Sequence, residues 1–407
     1  MAAMELLVAR IVALLGLAMV VAIVARRLRL PYTVGLVLTG LALALTRVDV
    51  GLELTHEIVF DLILPPLLFE AALNLHWGAL RRDLPPMLLL ATLGVVLCGG
   101  IVASGLVYGL GWPLQPALAF GALISATDPI AVIALLRETG VKGRMALLIE
   151  SESLLNDGVA AVLFSLATLS SAGGGLPTAG AALSGLGWIA GGGVAIGALA
   201  AGAALLIAGR TEEHTVETAI TAVAAYGSFL AAERMGASGV LATVTAGLLL
   251  GNLGVLAKPE NPLSLTIQGR EFVLAFWEFS AFVANSFVFL LIGLALAHVG
   301  LGLDWRPAAI VGLALLGRAA AVYPVATLFA FSRWRLPAGE QHFLVWGGLR
   351  GALALALALT LPRDAPYRGQ ILVGAFAVVA FSVILQGLTA GPLLQRLGLA
   401  PTRGIIP

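Results

Sequence analysis

The chain has 407 residues, 60% of them hydrophobic and 11% charged, with a formal net charge of +1. A soluble domain carries about 25% charged residues, so a mean hydropathy of +1.02 excludes a water-soluble globule, which still needs a polar exterior. The balanced charge gives no reason to expect a nucleic-acid partner; the solvent that suits this composition is a lipid bilayer.

A helix needs roughly 20 apolar residues to cross the hydrocarbon. Thirteen segments fit in chain order: about 5–25, 32–46, 57–76, 86–109, 116–136, 145–169, 187–209, 215–233, 238–254, 271–298, 307–331, 341–361 and 370–394. The expected fold is therefore an all-α polytopic membrane protein of about 13 transmembrane helices. The first segment reads as a span, because no small-residue cleavage site follows it. With the N-terminus outside, fifteen Lys or Arg residues fall in inner loops and five in outer loops. That bias obeys the positive-inside rule and places the C-terminus in the cytoplasm. The stretch SAGGGLPTAG (Ser171 to Gly180) reads as a flexible outer loop. It separates a first repeat of six spans, about 5–169, from a linker span, about 187–209, and a second repeat, about 215–394. An odd linker span inverts the second repeat relative to the first. Only ~10 residues follow the last span, so no soluble C-terminal domain is expected. The single cysteine, Cys98, excludes an intrachain disulfide. The five histidines show no zinc-type spacing, and no cofactor is expected beyond transported ions.

Charged and helix-breaking residues inside spans carry the functional signal. Span five contains SATDPIAV, with Asp128 and Pro129. Proline removes a backbone donor and clashes with the preceding turn, so span five is expected to be interrupted there. Span twelve contains VWGGLRGALAL, with Arg350 among Gly347, Gly348 and Gly351. Glycines loosen a helix, and both segments are fifth in their repeat. Two interrupted helices at matching positions point to a transporter site near the membrane midplane. Span six reads LLIESESLLNDGVAAVLF. Ser153 and Asp157 share one face and Glu152 and Asn156 the next, while Glu150 lies nearer the inner end. Span three carries Glu70 beyond a double proline, and span eleven carries Arg318.

Six such charges (Glu70, Asp128, Glu152, Asp157, Arg318 and Arg350) cost roughly 2.5–3.5 kcal/mol each on insertion scales, on the order of 15–20 kcal/mol together. Pairing offsets much of this, but four acids against two bases leave two carboxylates over. An unpaired buried carboxylate binds a proton or a cation, and a site that does both in turn is an exchanger.

Taken together, TDPI, ESESLLNDG, LPPLLFEAALNL and GGLRGA resemble the monovalent cation:proton antiporter family, in its NhaP-like and sodium–proton exchanger branch. The resemblance covers essentially the whole chain. It implies a homodimer of thirteen-span protomers in the plasma membrane, each with a dimerisation domain and a mobile core. It implies that Asp157 carries ion and proton, with the Thr127 carbonyl, Asp128 and Ser153 as further cation ligands and Glu70 reaching the ion through water. It also implies that Glu152 pairs with Arg350 and helps fix Asn156; Arg318 matches a second buried arginine whose partner stays open. The long cytoplasmic tail of eukaryotic exchangers has no counterpart here, which points to a prokaryotic membrane.

Oxygen ligands suit a hard cation such as sodium, with lithium and potassium left open. Asn156 beside Asp157 has no titrating proton, so one carboxylate trading one proton for one cation gives electroneutral exchange. An ion channel would need a ring of repeated carbonyls or charges, and no TVGYG-like repeat is present. An intramembrane hydrolase with Asp128 and Asp157 as paired acids lacks a G-x-S-x-G or G-x-G-D stretch.

Overall fold

The computed structural model describes residues 2–28, 30–46, 54–129, 132, 133, 136, 141, 143–172, 179–211, 213–257, 263–298 and 304–399. Residues 173–178 of the expected linker, most of the chain between Ile130 and Lys142, and the loop cations Arg29, Arg47, Arg137, Lys258 and Arg403 lie outside them.

The described chain is helical, with no strand among the described residues. The first helices are α1 (Ala2–Leu28), α2 (Tyr32–Leu45), α3 (Leu64–Asn74), α4 (Trp77–Leu80) and α5 (Leu84–Leu89). Next come α6 (Val95–Leu110), α7 (Leu114–Ser125), α8 (Arg144–Ala172), α9 (Ala179–Ala208) and α10 (His214–Arg234). The chain continues through α11 (Gly239–Leu250), α12 (Ile267–His298), α13 (Arg306–Leu328), α14 (Ala338–Trp346), α15 (Ala352–Thr360), α16 (Arg368–Ala380) and α17 (Gly387–Arg396). Among the described residues, seven segments are long and apolar enough to cross a membrane, and Tyr32–Leu45, Leu114–Ser125 and Gly239–Val255 form shorter apolar helices. The 29 residues of α8 extend about 44 Å at 1.5 Å per residue, more than the ≈ 30 Å hydrocarbon core. Their hydropathy is diluted by Arg144, Glu150, Glu152 and Asp157.

The helices pack in two groups. In one, α2 and α3 lie against α12, and α11 packs on α3, α9 and α10. In the other, α6, α7, α8, α13, α15 and α16 surround one another. Much of α1 is exposed along Val8, Val12, Val20 and Ile23, a surface suited to lipid or to another chain rather than to water.

Among the described residues the chain widens into a π-helical turn at Glu57–Ile63, Leu90–Gly94, Gly251–Val255 and Phe381–Gln386. The first has a local cause. Pro65 and Pro66 follow it, and a proline cannot donate to the carbonyl four residues back, so the preceding turn opens. The same chemistry stops α7. The residue before a proline avoids helical angles, and the chain is already extended at Ala126 (φ −58, ψ 139). The second interruption, Gly347 to Gly351, separates α14 from α15. Both expected breaks are therefore present, and they meet: the Asp128 N–H donates to the Leu349 carbonyl at 2.7 Å.

Candidate functional site

Each interruption frees backbone groups that a continuous helix would pair, and in lipid each must find a protein partner or a wet cavity. Asp128 N–H finds Leu349. Trp346, the last residue of α14, offers its carbonyl to the Gln386 side chain at 2.8 Å, and Ser382 Oγ donates to Gln386 Oε1 at 2.6 Å. The π-helical turn Phe381–Gln386 thus brings two polar side chains to the end of α14. The beginning of α15 faces Asp128: a Cβ at Gly351 would collide with the Asp128 carboxylate. A helix start attracts negative charge, so the bare backbone at Gly351 lets a carboxylate approach as a side chain would not.

Around the crossing lies a cavity of ≈ 50 Å³, where ~10–15 Å³ suffices for one water. Its polar walls are Thr127, Asp128 and Asp157; Leu64, Leu67, Leu68 and Ala71 from α3, with Leu154 and Leu353, supply apolar walls. Asp157 Oδ1 is buried with no hydrogen-bond partner among the described residues. A bare carboxylate oxygen there is costly unless a proton or a cation joins it.

Behind the cavity a chain of hydrogen bonds fixes the walls. Thr127 Oγ1 meets Ser153 Oγ at 2.9 Å, and its N–H donates to Asn156 Oδ1 at 3.2 Å. Asn156 Nδ2 donates to Thr127 Oγ1 at 2.6 Å and to Glu152 Oε1 at 3.1 Å. Glu152 accepts Arg318 Nη1 at 2.7 Å and Nη2 at 2.9 Å. This bidentate, charge-assisted pair is almost wholly buried, with side chains 7% and 1% exposed.

The expected Glu152–Arg350 pair is therefore replaced. Arg318 holds Glu152, and Arg350 Nη2 reaches Cys98 Sγ at 3.6 Å. The geometry explains the choice. Arg318 enters from α13 across Gly348, where a Cβ would strike its guanidinium, and its Nε also donates to the Leu344 carbonyl at 3.2 Å. Glu152 does fix Asn156, as expected. Of the remaining expected residues, Thr127, Asp128, Pro129 and Asp157 border the cavity. Ser153 is buried behind Thr127. Glu70 stands on α3 but off the cavity wall, and its Oε1 accepts from Asn74 Nδ2 at 2.9 Å. Cys98, Gln386 and Ser382 were not anticipated; a buried amide in an apolar span was the available signal for Gln386.

A wider vestibule of ≈ 1020 Å³ opens at the Arg144 end of α8, lined in part by Asn74, Arg81, Arg82, Arg144, Leu147 and Glu150. Leu147, Glu150, Leu154 and Asp157 fall on one helical face, so a single stripe of α8 borders first the vestibule and then the cavity.

The sequence matches the family described as "Sodium/hydrogen exchanger, transmembrane" over residues 13–396. The chain is a member of the sodium/hydrogen exchanger family. Family membership makes it a membrane transporter and not an enzyme. It is 39% identical to the Na(+)/H(+) antiporter ApNhaP of Aphanothece halophytica over 390 residues, covering 92% of this chain and 71% of that one. It is 34% identical to the Na(+)/H(+) antiporter NhaH of Halobacillus dabanensis over 416 residues, covering 96% and 98%. The fold matches the sodium proton antiporter MjNhaP1 from Methanocaldococcus jannaschii at pH 8, with TM-score 0.81 and 23% identity, over 98% of this chain and 100% of that one.

Proposed function

We propose that this chain exchanges one sodium ion for one proton across the plasma membrane, with Asp157 as the shared carrier. The observation that carries the reading is the buried, unpartnered Oδ1 of Asp157 beside Thr127 and Asp128 in a cavity large enough for an ion. A proton and a sodium ion compete for that oxygen, and either one neutralises the carboxylate. A neutral site crosses a low-dielectric gate more cheaply than an ionised one, so the empty site stays on its side and transport becomes obligatory exchange. Asp128, the Thr127 carbonyl and Ser153 complete the oxygen set, after a small local shift that brings Ser153 Oγ to the cavity; Glu70 acts through water. Lithium and potassium are the alternative substrates for the same oxygen set.

The alternating step is movement of the α6–α8, α13, α15 and α16 group against the other, about the cavity. The thirteen-span count, the inverted repeats, the homodimer and the N-out, C-in orientation belong to the same proposal, supported by span spacing, loop charge and family membership. The test is sodium-driven proton flux in proteoliposomes. Wild type should show saturable flux, and Asp157→Asn should fold and show none. Retention of half the wild-type rate by Asp157→Asn would overturn the carrier assignment.

A further inference from the structure

Arg350 is 2% exposed, yet among the described residues no carboxylate oxygen lies within 4.0 Å of it. Glu152 is occupied by Arg318. Arg350 Nη2 has Cys98 Sγ at 3.6 Å, a weak and uncharged acceptor, and Nη1 is buried with no hydrogen-bond partner among the described residues. The guanidinium borders a second cavity of ≈ 10 Å³, together with Arg318, Gly348, Ser382 and Gln386. That space admits about one water, and a water does not cancel a charge. A buried cation left in this state is destabilising by several kcal/mol. Its chain neighbours Leu349 and Gly351 both meet Asp128 at the edge of the Asp157 cavity, which places Arg350 one residue from that cavity's wall.

We infer that Arg350 is held as an uncompensated cation that weakens ion binding in the Asp157 cavity, and that Cys98, an acceptor without charge, is the positioning residue that holds it so. Among the described residues, the charged groups at or next to the crossing are Asp128, Asp157, Glu152, Arg318 and Arg350, with Glu70 on α3 off the cavity wall and the uncharged Cys98 beside Arg350. Glu152 and Arg318 cancel. Without Arg350, the carboxylates at the cavity would hold a monovalent cation more tightly and slow its release in each cycle. Arg350 opposes them and lowers the net negative charge that a bound cation meets. A carboxylate at position 98 would pair with Arg350 and remove that opposition. The inference rests on the reading that this cavity binds the transported cation.

The test compares wild type, Cys98→Asp and Cys98→Asn as purified proteins. Sodium binding is read by calorimetry in detergent, and the KM for sodium by proteoliposome flux at fixed pH. Cys98→Asp should bind sodium roughly three- to tenfold more tightly, with a lower KM and a lower maximal rate as release slows. Cys98→Asn, similar in size and uncharged, should shift both constants less. Affinity in Cys98→Asp equal to or weaker than wild type overturns the inference, as does a matching shift in Cys98→Asn. If Cys98→Asp does not yield a monodisperse protein, Arg350→Gln takes its place. It should also tighten sodium binding, and weaker or unchanged binding overturns the inference. Sodium binding in wild type without any proton flux would count against the exchange reading instead, while the calorimetric ranking would still decide the role of Arg350.

Discussion

Glu152→Gln removes the anion from the buried pair and leaves the shape nearly unchanged. Three hydrogen bonds converge on this carboxylate, from Arg318 Nη1 (2.7 Å), Arg318 Nη2 (2.9 Å) and Asn156 Nδ2 (3.1 Å). A glutamine keeps one acceptor oxygen and turns an NH2 toward donors, so at least one contact becomes donor against donor. Breaking one side of a buried pair costs about 3–5 kcal/mol, because the remaining charge is stranded; with both side chains no more than 7% exposed, solvent rescues little of it. The retained oxygen argues for the low end, about 3 kcal/mol. The assay is a double-mutant cycle on detergent-solubilised protein, read by denaturant or thermal unfolding, with Glu152→Gln, Arg318→Gln and the double variant. A parallel cycle uses Arg350→Gln. Coupling should exceed about 1.5 kcal/mol with Arg318 and stay below about 0.5 kcal/mol with Arg350. The reverse ranking would refute the pairing and restore Arg350 as the partner. Because Asn156 hangs from the same carboxylate, Glu152→Gln should also slow exchange, and Asp157→Asn should lose exchange with the smaller loss of stability.

Further outcomes follow from the same geometry. Gly351→Ala places a methyl group against the Asp128 carboxylate and should destabilise by about 1–3 kcal/mol, with exchange reduced roughly tenfold in flux assays; wild-type flux would mean that the two breaks do not touch during transport. Exchange should not respond to a potassium–valinomycin potential of either sign, because zero net charge couples to the field with zero energy, against about 2.3 kcal/mol per charge per 100 mV otherwise. A rate or steady-state gradient that shifts with voltage would require more than one proton per sodium. Arg144 pairs with Asp83 at 2.8 Å and donates to the carbonyls of Trp334 and Arg335. Arg144→Ala should therefore raise amide hydrogen exchange around residues 332–336 with a stability loss of only about 1 kcal/mol, since the pair is part-exposed; unchanged protection there would discount the carbonyl contacts.

Helical spans and both interruptions were legible because each has a local cause: sustained hydropathy, Pro129 in one case and a glycine cluster in the other. Asp128 and Asp157 stood out as charges without a reason to be in lipid, and the hydroxyl and amide residues around them came with the family motifs. What the sequence hid is tertiary. Two arginines were available for Glu152, and the choice rests on Gly348 opening a path for Arg318, a contact between residues 166 positions apart along the chain. Cys98 sits in an apolar run that gives it no distinguishing pattern, and only folding brings its sulfur to a guanidinium. Leu64, Leu67, Leu68 and Ala71 line the cavity from one face of α3; Glu70 falls off that face and bonds to Asn74 one turn on along the same helix.

The bond from Asp128 N–H to the Leu349 carbonyl has a consequence for synthesis. A nascent chain places Asp128 and its opened backbone in the membrane long before Leu349 or Arg318 has been made. Until then the N–H of Asp128 lacks its acceptor at Leu349, and the carboxylate of Glu152 has Asn156 but not Arg318. The first half of the molecule must therefore wait as a wet or protein-shielded intermediate. A chain that stops before Leu349 cannot complete its own membrane interior.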